Sequence, residues 1–178
     1  MNNLNETKRI LLIMSSGYLL NFLFGICGSF FPTNSYQQIT FWQVGDSMAI
    51  MASVLGGRLV GMRGQNIASA GFTLLAIAYG VSFASSTLAG SNEEKMATIV
   101  LPLIPALFLL SFCRIFPVWL RIASLMVGVP FFFMYKNVID NTYSADNVSN
   151  FLAYTGIQLL GVIWSYYIFK DWQKQPKQ

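Results

Sequence analysis

The chain has 178 residues, of which 54% are hydrophobic and only 10% are charged. A soluble domain carries about 25% charged residues, so this composition cannot cover a water-facing surface and predicts an integral membrane protein. The net charge of +4 comes from basic residues at the ends of apolar runs. These residues do not form a patch interleaved with aromatic side chains, and we therefore expect no nucleic-acid partner.

Catalytic and metal-binding patterns are absent from the sequence. The chain contains no histidine, which removes the most common general base and metal ligand. Its two cysteines, Cys27 and Cys113, lie in apolar context near opposite predicted faces of the membrane, so we expect neither a disulfide nor a metal site. There is no Gly-x-Ser-x-Gly sequence, no glycine-rich phosphate loop and no pair of intramembrane carboxylates. We therefore predict no enzymatic activity and no cofactor.

Apolar segments follow one another along the chain, and a bilayer core of about 30 Å needs about 20 helical residues to cross it. Residues 97–135 are too long for one span, so we predict a tight hairpin near Pro117. The first segment exceeds the apolar core of a signal peptide and lacks a small-x-small cleavage site, so we interpret it as a span. The predicted fold is all-α, with six transmembrane helices in one bundle and one domain over residues 1–178. The predicted spans are 10–31, 41–62, 66–89, 96–112, 117–135 and 150–169, with a polar loop over 136–149.

The basic residues predict the orientation of this bundle. With the N-terminus and the C-terminus both cytoplasmic, nine Lys and Arg residues fall on the inner side and two, Lys95 and Lys136, on the outer side. This bias agrees with the positive-inside rule for short loops. The inner residues are Lys8, Arg9, Arg58, Arg63, Arg114, Arg121, Lys170, Lys174 and Lys177.

Small residues at helical spacing predict how the spans pack, because lipid tails give no hydrophobic driving force between helices. The first span carries such a stripe at Gly17, Asn21, Gly25 and Gly28. Similar stripes in the second, third and sixth spans predict that these four helices form the tight centre of the bundle. The fourth span, rich in Leu, Ile, Val and Phe, is predicted to face lipid.

Asp46 is the only acidic residue within an apolar segment. A carboxylate at the bilayer centre costs about 2.5–3.5 kcal/mol and usually serves a function there. One interpretation is therefore a cation or proton site, or a contact for a polar solute. The other is that Gly45-Asp46-Ser47 caps a helix that runs from Ser47 to about Gly64, which would place Asp46 at the interface. The sequence leaves both interpretations open.

Other polar side chains reach a similar predicted depth. Gln43 and Asp46 in the second span and Ser82 in the third fall in the outer third of the membrane, and Asn21 and Gln158 lie nearer its middle. Together these residues predict a polar cavity open to the outside and floored near Asn21 and Gln158. The candidate solute- or ion-binding residues are Asp46, Gln43, Asn21, Ser82 and Gln158.

These features favour a small transporter or channel for an ion or a small polar solute. The alternative is a non-catalytic membrane subunit with a regulatory, assembly or substrate-capture role, whose small-residue stripes bind another membrane protein. Size and span number are similar to those of energy-coupling-factor substrate-binding subunits, but the Ala-x-x-x-Ala pattern expected on their first helix is missing. We expect the chain to reside in a plasma membrane such as a bacterial inner membrane, with the lipid bilayer and either a second copy or another membrane protein as partners.

Overall fold

The computed structural model describes residues 2–32, 34–87, 101–144 and 147–174. These residues form six α-helices, which confirms the all-α prediction. Four of the helices contain segments long and apolar enough to cross a membrane, Asn5–Gly28, Asn66–Ser85, Val118–Ile139 and Val148–Gln173. The helices are α1 (Asn2–Gly28), α2 (Tyr36–Gly61), α3 (Asn66–Thr87), α4 (Leu103–Leu110), α5 (Val118–Ile139) and α6 (Val148–Gln173).

The six helices form a closed ring in which each helix packs against its neighbours in the chain. Helix α6 completes the ring by packing against α1, and it also reaches across to α2. Helices α1, α2 and α3 share the most extensive contacts, as the small-residue stripes predict. Gly17 of α1 lies against Ala52 and the carbonyl of Met48 in α2, so the absence of a side chain at Gly17 permits this close approach.

Helix α2 begins at Tyr36, earlier than the predicted span of 41–62. Its N-cap is Ser35, whose hydroxyl accepts a hydrogen bond from the Gln38 N–H at 3.2 Å, while the Gln38 side chain accepts one from the Asn34 N–H at 2.8 Å. This reciprocal pattern is a variant of the capping box. The interpretation of Asp46 as an N-cap is therefore wrong, since the helix starts ten residues before it.

The sequence of α2 is more polar than that of the four apolar helices because it contains Gln37, Gln38, Gln43, Asp46 and Arg58. Its packing compensates for this polarity. Helix α2 lies between α1 and α3, and the side chains that it buries are mostly small. They include Gly45, Ala49, Ala52, Ser53, Gly56 and Gly57.

The predicted hairpin near Pro117 is present. Helix α4 ends at Leu110, and Pro117 immediately precedes α5, which packs back against α4. Residues 96–100 of the predicted fourth span lie outside the described residues. One face of α4 is buried and packs against Gly71 of α3, and Phe108 is exposed on the other face; that this face meets lipid stays a prediction. The missing side chain at Gly71 lets the α4 backbone approach at Ala106 and Leu110.

The predicted loop over 136–149 is shorter than expected. Helix α5 continues through Ile139, and α6 already begins at Val148. The last turn of α5 is polar, but Lys136 and Asp140 form an ion pair of 3.8 Å at helical spacing, a contact that supports a helix outside the apolar segment. Hydropathy marks where a span leaves the apolar region, and a helix can extend beyond that point.

One end of the bundle carries nearly all of the described basic side chains, and we call it the basic end. Arg58 near the end of α2 pairs with Glu6 near the start of α1, and Arg63 after α2 pairs with Asp171 near the end of α6. The start of α1 and the end of α6 therefore lie at the same end of the bundle. The described basic residues there are Lys8, Arg9, Arg58, Arg63, Arg114, Arg121, Lys170 and Lys174, whereas Lys136 lies at the opposite end.

Candidate functional site

Asp46 lies well inside α2, about 15 Å along the helix from Tyr36 at 1.5 Å per residue. Its Oδ2 atom accepts a hydrogen bond of 2.9 Å from the hydroxyl of Ser82 in α3. Two of the predicted site residues are therefore in direct contact. Among the described residues, no Lys or Arg forms an ion pair with Asp46, so its only identified partner is a neutral hydroxyl.

Asn21 lies on α1, opposite the residue that precedes Asp46. Its amide nitrogen would be 3.4 Å from a Cβ at Gly45, a buried glycine whose small size allows α1 to approach α2. Asn21 is 2% exposed, and its Oδ1 atom has no hydrogen-bond partner in the described part of the chain. A buried acceptor without a donor costs about 1–3 kcal/mol, so this oxygen is a candidate acceptor for a ligand.

Two tyrosines that are not among the predicted site residues border this region. Tyr18 lies one turn before Asn21 on α1 and forms a hydrogen bond of 2.9 Å with the hydroxyl of Ser53 in α2. Tyr79 lies one turn before Ser82 on α3 and is within electrostatic range of both Asp46 and Tyr18. The i, i+3 spacing of Tyr18 with Asn21 and of Tyr79 with Ser82 was a signal that could have found them.

We call Tyr18, Asn21, Asp46, Tyr79 and Ser82 the polar layer. Three adjacent helices supply these residues, and four of the five are at most 8% exposed. The layer contains the Asp46 carboxylate and, on Asn21, an amide oxygen that accepts no hydrogen bond from the described residues. Chemically, such a set can bind a proton, a cation or a ligand that donates hydrogen bonds.

Gln158 and Gln43 border the polar layer. The amide of Gln158 in α6 packs directly over Gly25 of α1, one turn beyond Asn21. Gln43 lies one turn before Asp46 on α2, and its carbonyl accepts a hydrogen bond of 2.9 Å from the Ser47 hydroxyl. The five predicted site residues lie on α1, α2, α3 and α6. Their role in binding stays a prediction.

At the basic end, Arg58, Arg63 and Lys170 have charged or aromatic partners. Arg63 contacts Asp171 at 2.7 Å, donates to its carbonyl at 3.3 Å and lies 4.7 Å from the centre of the Trp172 ring. Arg121 donates from Nε to the carbonyl of Ser111 at 2.6 Å. These side chains connect the turns between helices to neighbouring elements. Their contacts are therefore explained by a structural role.

Both cysteines are free thiols, as predicted. Within the described residues, no three His, Cys, Asp or Glu side chains are grouped as a metal site would require. Comparison with known proteins adds no family: no protein-family model, curated protein or solved structure matches this chain.

Proposed function

We propose that this chain is a membrane transport protein, a carrier or a channel, for an ion or a small polar solute. The observation that supports this proposal is Asp46, a carboxylate in the interior of a helix, bound to Ser82 and without a basic partner among the described residues. An intramembrane ionisable group is expensive to bury and usually marks a substrate or ion pathway. A purely structural hydrogen bond to Ser82 could be made by an asparagine without that cost.

In this proposal, Asp46 binds the charged or hydrogen-bonding part of the transported species. Gln43 and Ser82 flank it, Asn21 borders the inner limit of the pathway, and Gln158 lies one turn further from the basic end. Helix α2 supplies the binding carboxylate, and the small residues that it buries let it pack closely against α1 and α3. Access to Asp46 from the side opposite the basic end completes the mechanism.

We further propose that the basic end is cytoplasmic and that the chain crosses a plasma membrane six times. The supporting observation is the placement of eight described basic residues at that end, against Lys136 at the other. A fluorescent protein that folds only in the cytoplasm, fused after residue 178, tests this orientation. Fluorescence supports it, and a dark fusion that is nonetheless fully produced overturns it.

Reconstitution into sealed vesicles tests the transport function. We expect flux of a small ion or solute through wild-type protein and a loss of at least about 90% in Asp46→Asn, because the uncharged amide cannot balance a cation. Asp140→Asn is the matched control, since Asp140 is half-exposed and lies outside the polar layer. Flux that is equal in Asp46→Asn and wild type would contradict the role of Asp46.

Water access to position 46 provides an independent test. In a Cys27→Ser, Cys113→Ala background, a single cysteine at position 46 should react slowly with a membrane-impermeant thiol reagent. Cysteines at Thr142, which is exposed, and at Ala52, which is fully buried, give the two limits. A position 46 as unreactive as position 52, together with a protein that co-purifies, would favour the accessory-subunit function.

A further inference from the structure

The buried oxygen of Asn21 constrains what the polar layer binds. Asn21 is 2% exposed, and within the described ranges its Oδ1 atom receives no hydrogen bond. Its amide nitrogen faces Gly45 of α2. Since a buried acceptor is normally paired, its complement is a group that is positively charged or donates a hydrogen bond.

Asp46 adds one negative charge beside this acceptor. It follows Gly45 directly on α2, so the carboxylate and the Asn21 amide flank the same turn of the helix. Its hydrogen-bond partner, Ser82, is neutral, and no Lys or Arg of the described residues pairs with it. In an apolar medium a carboxylate needs a counter-charge close by, and a single carboxylate is balanced by a single positive charge.

The charge and the acceptors together select the class of ligand. A proton on Asp46 could be donated to the Asn21 oxygen and would meet the same two requirements, so alkali salts must be compared with choline chloride at one fixed pH to distinguish a metal cation from a proton. A divalent ion would leave an excess positive charge, because the other described acids, Glu6, Asp140 and Asp171, form ion pairs at the ends of the bundle. Carboxylate, amide carbonyl and hydroxyl oxygens are hard ligands that suit hard cations.

We propose that the Asn21 Oδ1 atom and the Asp46 carboxylate together bind a small monovalent metal cation of the alkali series. Ser82 holds the carboxylate in place, and the Asn21 amide lies against Gly45, the residue that precedes Asp46. This inference deepens the proposed transport function and rests on it for its physiological meaning. The binding itself is measurable without transport.

Thermal unfolding of the purified full-length chain tests the cation site. The probes are NaCl, LiCl and KCl against choline chloride at equal ionic strength, so that only specific binding changes the melting temperature. We expect at least one of the three cations to raise the Tm in a concentration-dependent way. Asp46→Asn should abolish this shift, and Asp140→Asn should keep it.

Variants of Asn21 separate ligation from packing. Asn21→Leu should require about tenfold more cation for the same Tm shift, because one oxygen ligand is lost. Asn21→Asp should require less cation than wild type, because it adds a second charge beside the ion. A residue that only packs would not change the cation requirement in opposite directions in these two variants.

Two results would overturn the cation site. One is an equal Tm in all three alkali chlorides and in choline chloride, which is the result expected if an ordered water satisfies Asn21. The other is a cation requirement unchanged in Asn21→Leu. A Tm response without flux in sealed vesicles would overturn the transport function and leave the site, whereas solute flux without a Tm response would overturn the site alone.

Discussion

The polar layer and the basic end of this bundle each contain a carboxylate, and the two carboxylates differ in their partners. Asp171, at the basic end, meets the Arg63 guanidinium at 2.7 Å, and Arg63 also lies over the Trp172 ring. Asp46, in the polar layer, meets the hydroxyl of Ser82 and no described basic residue. A paired charge joins elements of a fold, whereas a charge without a counter-charge is available to bind one. The difference therefore separates a structural region from a candidate functional region within a single small bundle.

The largest expected effect concerns the packing of α6 against Tyr18 of the polar layer. A Cβ at Gly161 of α6 would lie 2.6 Å from Cδ1 of Tyr18, whose buried ring has no space to move. We expect Gly161→Ala to lower the free energy of unfolding by about 3 kcal/mol through overpacking, measured by denaturant titration in detergent. Gly80→Ala is the matched control, because nothing lies within 4 Å of a Cβ there; it should raise stability by up to about 1 kcal/mol. Equal effects at the two glycines would mean that Tyr18 is not held in place by α6.

A second prediction concerns pH at the basic end. Cys113 is fully buried in the turn between α4 and α5, and this burial raises the pKa of its thiol to about 11. The unfolded thiol has an ordinary pKa near 9, so the unfolded chain loses its proton first as pH rises. The stabilising contribution is complete below about pH 9 and is lost between pH 9 and 11, at up to about 1.4 kcal/mol per pH unit.

The difference between wild type and Cys113→Ala isolates this thiol from the tyrosines and lysines that titrate in the same range. Unfolding titrations at pH 8, 9.5 and 11 should show that the stability of wild type falls by about 2–3 kcal/mol more than that of the variant. Parallel pH profiles would place the thiol in contact with water and would contradict its burial in this turn.

Neutralising each of the two carboxylates compares the regions directly. Asp171→Asn leaves Arg63 without its ion-pair partner, and since both side chains are partly exposed we expect a loss of about 1 kcal/mol. Asp46→Asn keeps an oxygen for the Ser82 hydroxyl and removes a partly buried charge that has no described counter-charge, so it should raise stability by about 1 kcal/mol in a cation-free buffer. Melting temperatures in choline chloride measure both. Destabilisation of similar size in the two variants would make Asp46 a structural residue like Asp171.

The smallest expected effect concerns the turn that follows α4. Arg121 donates from Nε to the Ser111 carbonyl at 2.6 Å, and a lysine cannot reproduce the geometry of that donor. Arg121→Lys should lower stability by about 0.5–1 kcal/mol. Arg114→Lys should change it by less, because the hydrogen bond of Arg114 to the Gln65 side chain uses its backbone N–H. Thermal unfolding of the two variants side by side provides the measurement.

The composition and the apolar runs of the sequence predicted an all-helical chain, the hairpin near Pro117 and the involvement of small residues in helix contacts. The start of α2 was missed because its first turns, with Gln37 and Gln38, have the composition of a loop. The Ser35-x-x-Gln38 pattern that caps the helix was nevertheless present in the sequence. The end of α5 was missed because hydropathy falls before the helix ends at Ile139.

The contacts of the site could be predicted only in part. Asp46 and Ser82 were both selected by residue type and depth, but their hydrogen bond depends on the rotation of α2 against α3, which no single segment encodes. Similarly, whether the Asn21 oxygen has a hydrogen-bond donor depends on the orientation of its side-chain amide. Spacing limits the helix face on which a residue lies, and packing between helices decides which atoms meet.

The closure of the ring by α6 has a consequence for biosynthesis. The first helix leaves the ribosome long before the last, yet Gly25 of α1 is covered by Gln158, and Tyr18 of α1 packs against Gly161. Until α6 is synthesised and inserted, Gly25 and the ring of Tyr18 lack their neighbours on α6, although the Tyr18 hydroxyl and the Asn21 amide can already meet α2. The packing around the site is therefore completed only after α6 has been inserted. A chain truncated before α6 should be a substrate for membrane quality control.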